Sequence, residues 1–166
     1  MAKNIPLTTI GVKVSWAVET VAGTRPNAGY KVIHGIYSTP DLNIAPSTVD
    51  VTSFDDTVFT RKAPVLKDIP DNMEYGVKYG KQFKKDWDEM CTAYASAKAA
   101  GKEMWFCEDI PDDGDENFNN AYFYTVIPTM FSKPALEANG PIDTKAYATY
   151  TGSYQEGNSP SYASET

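Results

Sequence analysis

The sequence contains few of the residues from which metal and nucleophile sites are built. Among its 166 residues, His34 is the single histidine, and Cys91 and Cys107 are the two cysteines. Zinc sites use Cys or His in close pairs, and no C-x-x-C or H-x-x-x-H spacing occurs. We therefore expect no metal and no cofactor. The two thiols are expected to be reduced and buried, with a disulfide as the less favoured alternative.

Basic residues and long apolar runs are also scarce. The chain has 15 Lys and Arg against 22 Asp and Glu, which gives a net charge of −7 and excludes a basic nucleic-acid-binding module. No stretch approaches the roughly 20 apolar residues that cross a bilayer, and residues 1–11 lack a hydrophobic signal-peptide core. We expect a protein that is made and assembled in the cytoplasm without membrane contact.

No arrangement of residues in the sequence predicts catalysis. His34 lies in an apolar segment without a nearby G-x-S-x-G motif. Asp55 and Asp56 are adjacent, so on an extended chain they point in opposite directions and do not flank one glycosidic bond. The acidic residues of 112–116 have the wrong spacing for an EF-hand loop and are interpreted as a solvated hairpin turn. We predict that the protein is not an enzyme and has no catalytic residues.

Strict alternation of apolar and polar residues predicts two antiparallel strands, at 10–18 and 73–83. Each is expected to bury one face and to leave the other solvated or in contact with a neighbouring subunit. The expected buried faces carry Ile10, Val12, Val14, Trp16, Val18, Met73, Tyr75, Val77, Tyr79 and Phe83. The opposite faces carry Gly11, Lys13, Ser15, Ala17, Glu19, Glu74, Gly76, Lys78, Gly80 and Gln82.

Further strands are predicted at about 42–52, 102–110, 119–131 and 142–154. One helix is predicted at about 86–100, because Asp86 and Glu89 have capping-box spacing and Gly101 follows as a stop signal. The fold class is therefore mainly β (α+β): a β-sandwich or squashed barrel of six to seven antiparallel strands with one flanking helix. This domain is expected to cover 1–155, followed by a flexible C-terminal tail at 156–166. A long polar loop without structure of its own is predicted at about 53–64 and is expected to be functional or disordered, since such loops are uncommon in compact domains.

The order of these features resembles the major tail protein (tail tube protein) family of phages with long non-contractile tails, which has the lambda-type tail tube fold. An alternating early strand precedes the stretch Asp50-Val51-Thr52-Ser53-Phe54-Asp55-Asp56 and a polar loop, and a second alternating strand leads into a helix that contains Trp87. The chain closes with a strand that ends in Thr151-Gly152-Ser153. The resemblance covers about residues 5–155, and Pro128 departs from it because it falls late in a strand that should be long.

The resemblance implies a structural virion protein that forms hexameric rings, stacked into the tail tube through which DNA is ejected into the host. It implies assembly in the host cytoplasm and a final location in the virion tail. The implied partners are further copies of the chain, the tape measure protein, and the tail tip and terminator proteins. Double-stranded DNA would pass through without specific binding, and an acidic subunit suits such a conduit.

The resemblance also implies contacts between rings. The loop at 53–64 would reach the adjacent ring, with Phe54 and Phe59 as apolar anchors. Asp55 and Asp56 would pair head to tail with Arg61 and Lys62 of the next ring. The lumen or the neighbouring subunit would be faced by Lys13, Ser15, Glu74, Lys78 and Gln82.

Other functions remain open at the level of the sequence. Tube proteins of contractile tails and of type VI secretion-like apparatuses share the expected architecture. A carbohydrate-binding β-sandwich module that uses exposed Tyr and Trp is an alternative from a different class, and an enzyme ranks third.

Overall fold

The computed structural model describes residues 11–43, 48–65, 72–110 and 120–164. Within these ranges the chain forms nine strands and one helix. In chain order they are β1 (Lys13–Val18), β2 (Lys31–Val32), β3 (Ile36–Ser38), β4 (Thr48–Asp50), β5 (Lys62–Pro64), β6 (Met73–Lys78), α1 (Lys81–Ala99), β7 (Met104–Asp109), β8 (Ala121–Pro128) and β9 (Asp143–Gly157). The acidic stretch at 112–116 lies outside the described residues.

Seven of the strands form one antiparallel sheet in the order β2-β1-β7-β8-β9-β6-β3. The predicted fold class is confirmed, since the sheet curls into a half-barrel with one helix. The prediction of a central strand at 102–110 is also confirmed, because β7 lies between β1 and β8 and is apolar on both faces. The predicted strand at 42–52 is wrong in its bounds: residues 41–43 are irregular, 44–47 lie outside the described residues, and β4 has three residues.

The sheet curls because its two edge strands are nearly continuous in sequence. The Ile33 N–H donates to the Val14 carbonyl over 2.8 Å on the β1 side, and two residues later the Gly35 carbonyl accepts from the Lys78 N–H over 2.8 Å on the β6 side. The chain bends between them at Gly35, which has a φ of +92°. A Cβ there would lie 2.8 Å from the Lys78 carbonyl oxygen, so glycine is required for this closure.

The helix begins earlier than predicted. It starts at Lys81, with Gly80 as an N-cap that offers no side-chain hydrogen bond, so the capping box of Asp86 and Glu89 is wrong. Gln82 and Phe83 therefore lie in the first helical turns, not on β6. The predicted stop is confirmed, because Gly101 follows the helix with a φ of +71°.

The main core lies between one face of the sheet and the helix. Phe83, Trp87 and Met90 are the buried helical side chains that pack against it. The sheet contributes apolar residues from β1, β6, β7, β8 and β9, and Phe131 adds a ring from the following segment. Trp87 Nε1 donates to the Thr129 carbonyl over 2.9 Å, so the buried indole N–H has a hydrogen-bond acceptor within this core.

A second, smaller core covers the opposite face of β1, β7 and β8. It consists of Ala17, Tyr30, Trp105, Cys107, Ala121 and Phe123, with Tyr162 packed against it. The prediction that Ser15 faces solvent or a subunit is therefore wrong, since Ser15 is fully buried on this face. Residues 158–164 contribute to this cover, which differs from the expectation of a flexible tail over 156–166.

The run Thr151-Gly152-Ser153 does not end the last strand, which continues to Gly157. It forms an irregularity opposite β8, where Gly152 has a φ of +110°. The Thr125 hydroxyl lies 2.5 Å from the Thr151 hydroxyl and accepts from the Ser153 N–H over 3.2 Å. A small-residue run thus marks a bulge within a long strand, because only glycine tolerates that backbone conformation without strain.

Candidate assembly surface

The polar segment predicted as a loop is the end of a β-hairpin that spans residues 48–65, here called the hairpin. Strands β4 and β5 pair from Thr48 opposite Pro64 to Asp50 opposite Lys62. The ladder continues past these strands, since the Val51 N–H donates to the Arg61 carbonyl over 3.0 Å. Regular strand pairing therefore positions the tip of the hairpin. The expectation of a loop without structure of its own at 53–64 is wrong for Lys62–Pro64, which form β5.

Asp56 organises the tip of the hairpin. One carboxylate oxygen accepts from the Ser53 N–H over 3.0 Å, and the other lies 2.8 Å from Arg61 Nε. Arg61 is further fixed because its backbone N–H donates to the Thr52 hydroxyl over 2.8 Å. Asp56 and Arg61 are therefore paired within one chain, whereas the resemblance implied that they pair with the next ring.

Apolar side chains project from this hairpin into solvent. Phe54 is fully exposed, Phe59 is 81% exposed, and Val58 is 76% exposed. No residue of 48–65 is buried, and none belongs to either hydrophobic core. Asp55 and Lys62 are exposed and make no ion pair with the part of the chain that the structure describes.

Two of the residues predicted to face the lumen or a neighbour lie together on an outer face of β6 and β9. Glu74 pairs with Lys145 and Lys78 pairs with Asp143, each over 2.8 Å. The hydrogen bond from Lys145 lowers the pKa of Glu74, and the hydrogen bond to Asp143 raises the pKa of Lys78. This face is a ladder of matched, exposed charges.

The other predicted face residues are dispersed. Lys13 is exposed on β1, where its Nζ lies 4.8 Å from the ring centroid of Tyr162. Gln82 lies on the helix and donates to Asp86 over 2.8 Å. The five residues therefore do not form one surface, and Glu74 with Lys78 is the pair that the structure brings together.

The two acids of the supposed capping box hold the closing segment of the sheet. Asp86 accepts from the His34 N–H over 3.0 Å and lies 2.9 Å from His34 Nδ1. Glu89 forms an ion pair with Lys31. A cleft of about 370 Å³ lies beside these contacts. Sequence reasoning missed this role because His34 lies 52 residues from Asp86 in sequence and Lys31 lies 58 residues from Glu89.

The described residues contain no group of three or more His, Cys, Asp or Glu side chains that could hold a metal ion. Both cysteines are free thiols. Burial raises the pKa of Cys91 to about 11 and that of Cys107 to about 12, so both stay protonated and weakly nucleophilic at neutral pH. In the same ranges, no helix has the length and apolar character needed to cross a membrane.

Neither protein-family models nor curated proteins match this chain.

Proposed function

We propose that the protein is a structural self-assembly protein and that the hairpin is a principal contact between its copies. The observation that carries this proposal is the exposure of Phe54 and Phe59 on an ordered hairpin that packs against neither core. A two-stranded hairpin alone is at best marginally stable in water, so a partner that covers it would stabilise the conformation that it already has. Large exposed apolar groups on a monomer are typical of interaction sites.

The tip is suited to association because its backbone is already organised. Asp56 and Arg61 fix the turn from both sides, so less conformational entropy is lost when the tip docks. Phe54 and Phe59 then supply aromatic anchors of the kind that dominate binding energy at interfaces. Asp55 and Lys62 remain available for charge pairing with a second copy.

The finer form of the proposal is a tail tube protein of a phage with a long non-contractile tail, as the sequence resemblance implies. Copies would form hexameric rings that stack into a tube and carry DNA during ejection. The net charge of −7 supports a conduit, because a negatively charged wall does not retain phosphates. The tape measure, tail tip and terminator proteins would be the partners at the ends of the tube, in the virion tail.

Tube proteins of contractile tails and of type VI secretion-like apparatuses remain the nearest alternatives, because they share the architecture. The carbohydrate-binding alternative is weaker, since Trp16, Trp87 and Trp105 are all buried. Sugar-binding surfaces rely on accessible aromatic faces; here the indoles fill the two cores, and the exposed aromatics outside the hairpin are tyrosines such as Tyr37 and Tyr154.

The test is negative-stain electron microscopy of the purified protein before and after concentration, combined with mass measurement by light scattering. The wild-type chain is expected to form rings or hollow tubes. The variant Phe54→Ser with Phe59→Ser is expected to stay monomeric while it keeps its circular dichroism spectrum and melting temperature. The matched control is Leu136→Ser, which removes an exposed apolar side chain outside the hairpin.

Tubes in the double variant that equal those of the wild type would refute the role of the hairpin. Loss of assembly in Leu136→Ser to the same degree would show a general effect of surface apolarity. A wild-type chain that stays monomeric and is retained on polysaccharide resin would overturn the assembly function in favour of sugar binding.

A further inference from the structure

Residues 158–164, here called the strap, follow β9 and run along the edge of the sheet. Tyr30 and Tyr162 form a parallel bridge. The Tyr30 N–H donates to the Ser161 carbonyl over 3.3 Å, and the Ala163 N–H donates to the Tyr30 carbonyl over 2.8 Å. The strap therefore occupies a strand position beside Tyr30, outside the seven paired strands.

Two side chains of the strap, Tyr162 and Ser159, anchor it to Asp109. The ring of Tyr162 packs against the second core, and its hydroxyl donates to an Asp109 carboxylate oxygen over 2.6 Å. The Ser159 hydroxyl donates to the other oxygen of the same carboxylate over 2.8 Å. The anchor thus depends on one aromatic ring, two hydroxyls and one carboxylate.

The surface beneath the strap is more apolar and more deeply buried than the strap itself. It is formed by the second core, in which Cys107 is fully buried and Trp105 is 3% exposed. In contrast, no residue of the strap is buried. A segment with so little buried area opens locally far more easily than the whole domain unfolds.

The second core, against which the strap packs, also contains buried hydrogen-bond donors without an acceptor among the described residues. Trp105 Nε1 and Arg25 Nη1 are buried without a hydrogen-bond partner in the part of the chain that the structure describes. The guanidinium of Arg25 lies 4.0 Å from the ring centroid of Phe123, within the second core. Buried donors without acceptors are costly, so this site is not optimised for a permanently closed strap.

We propose that this site, here called the strap groove, is a strand-binding groove that also accepts the strap of a second copy of the chain. The occupant follows from the structure, because the groove already holds this sequence by backbone pairing and a tyrosine anchor. Addition of a strand to a sheet edge is a general mode of peptide recognition, and exchange of an identical segment links copies at little cost. The proposal uses none of the hairpin contacts and is independent of them.

The first experiment measures binding of a fluorescent peptide with the sequence of residues 157–164 to full-length chains. The chains are the wild type, Tyr162→Ala, and Ala163→Pro, which removes the N–H that bonds Tyr30 without changing the second core. Both variants are expected to bind the peptide about tenfold more tightly than the wild type, because their own strap competes less for the groove. A peptide with alanine in place of the tyrosine is the control and is expected not to bind.

Cys107 reports strap opening in the same proteins, once Cys91→Ser has removed the second thiol. Its rate of modification by a thiol reagent is expected to rise about tenfold in both variants, as the closed fraction falls. The peptide is expected to restore protection. If Cys107 stays protected in both variants, or if both peptides bind equally, the strap groove is refuted.

Exchange between copies is tested by native mass spectrometry of wild-type and Tyr162→Ala chains mixed in equal amounts. A mixed dimer that excess peptide dissociates supports the proposal, and a strictly monomeric mixture refutes exchange. The Phe54→Ser, Phe59→Ser chain must bind the peptide as the wild type does. If this chain no longer forms tubes but still binds the peptide, the role of the hairpin in assembly and the role of the strap groove are shown to be separate.

Discussion

Phe83 and Phe54 show how two regions of this molecule use the same side chain differently. Phe83 is 1% exposed and contacts the rings of Trp87 and Phe131 between the helix and the sheet. Phe54 is fully exposed at the tip of the hairpin. Apolar area that is buried within the chain stabilises the fold, whereas apolar area that stays in water is available for association. Stability and assembly should therefore respond to different substitutions.

The largest expected effect is that of Trp87→Ala. This change removes a fully buried indole from the main core and its bond to the Thr129 carbonyl, so the free energy of unfolding should fall by about 3–5 kcal/mol. Urea unfolding measures it. The matched substitution Phe54→Ala should change the same free energy by less than about 0.5 kcal/mol. A comparable fall in the free energy of unfolding of the two variants would show that the hairpin packs against the sheet or the helix.

A smaller effect is expected at Gly76, where strand β6 passes beneath Tyr37. A Cβ at Gly76 would lie 2.8 Å from Tyr37 Cζ and would also meet the Ser38 hydroxyl. Gly76→Ala should therefore displace β3 and lower the free energy of unfolding by about 1–3 kcal/mol. Gly140→Ala is the control, because nothing lies within 4 Å of its added Cβ. Equal melting temperatures for the two variants would contradict this account of the sheet edge.

Glu108 gives a pH-dependent test of the core. Its carboxylate accepts from the Tyr124 hydroxyl over 2.9 Å, and that hydroxyl lies 2.6 Å from the hydroxyl of Tyr75. Burial raises the pKa of Glu108 above its ordinary value of 4.5, although hydrogen bonds from Tyr124 and Thr39 oppose the shift. The folded protein then binds this proton more tightly than the unfolded chain.

The contribution of Glu108 to stability should therefore be fully present below the unfolded pKa and be lost as the pH rises through the folded pKa. The free energy of unfolding of Glu108→Gln should exceed that of the wild type at pH 7, and the gap should close towards pH 4. Thermal melts across this range measure the gap. A gap that widens as the pH falls would contradict the sign of the shift.

The smallest effect on global stability is expected for Asp56→Ala in the hairpin. The change removes the bonds to the Ser53 N–H and to Arg61 Nε, so backbone amides of the tip should exchange with solvent faster. The free energy of unfolding should change by less than about 0.5 kcal/mol, because no core contact is lost. Hydrogen exchange measures the first quantity and urea unfolding the second. A global loss above 1 kcal/mol would refute the separation of the two regions.

Short-range patterns predicted most of the elements correctly. Alternation located β1 and β6, and the apolar run at 102–110 located the central strand β7. The predicted helix was about one and a half turns too short at its N-terminal end. The spacing of Asp86 and Glu89 suits a capping box, but it equally suits two side chains on one helical face that contact another element. Only the tertiary structure shows that His34 and Lys31 are their partners.

The candidate site was predicted in part. The family resemblance implied Phe54, Phe59 and the charges around them as contacts between rings, and these contacts stay a prediction. It did not indicate the ladder that supports the tip, nor the internal pairing of Asp56 with Arg61. The register of two paired strands is visible in the sequence when one face is buried, because that face is apolar. The strands of the hairpin are short and exposed on both faces, so their sequence does not specify a register.

By itself, the sequence determined the longer strands of the sheet, the single helix with its stop at Gly101, and the acidic net charge, since each follows from periodicity, local sterics or composition. The tertiary structure decided which faces are buried. Ser15 lies on the polar face of an alternating strand and is nevertheless fully buried, because residues near Tyr162, almost 150 positions away, cover it. Burial depends on contacts between distant segments, and no local pattern specifies such contacts.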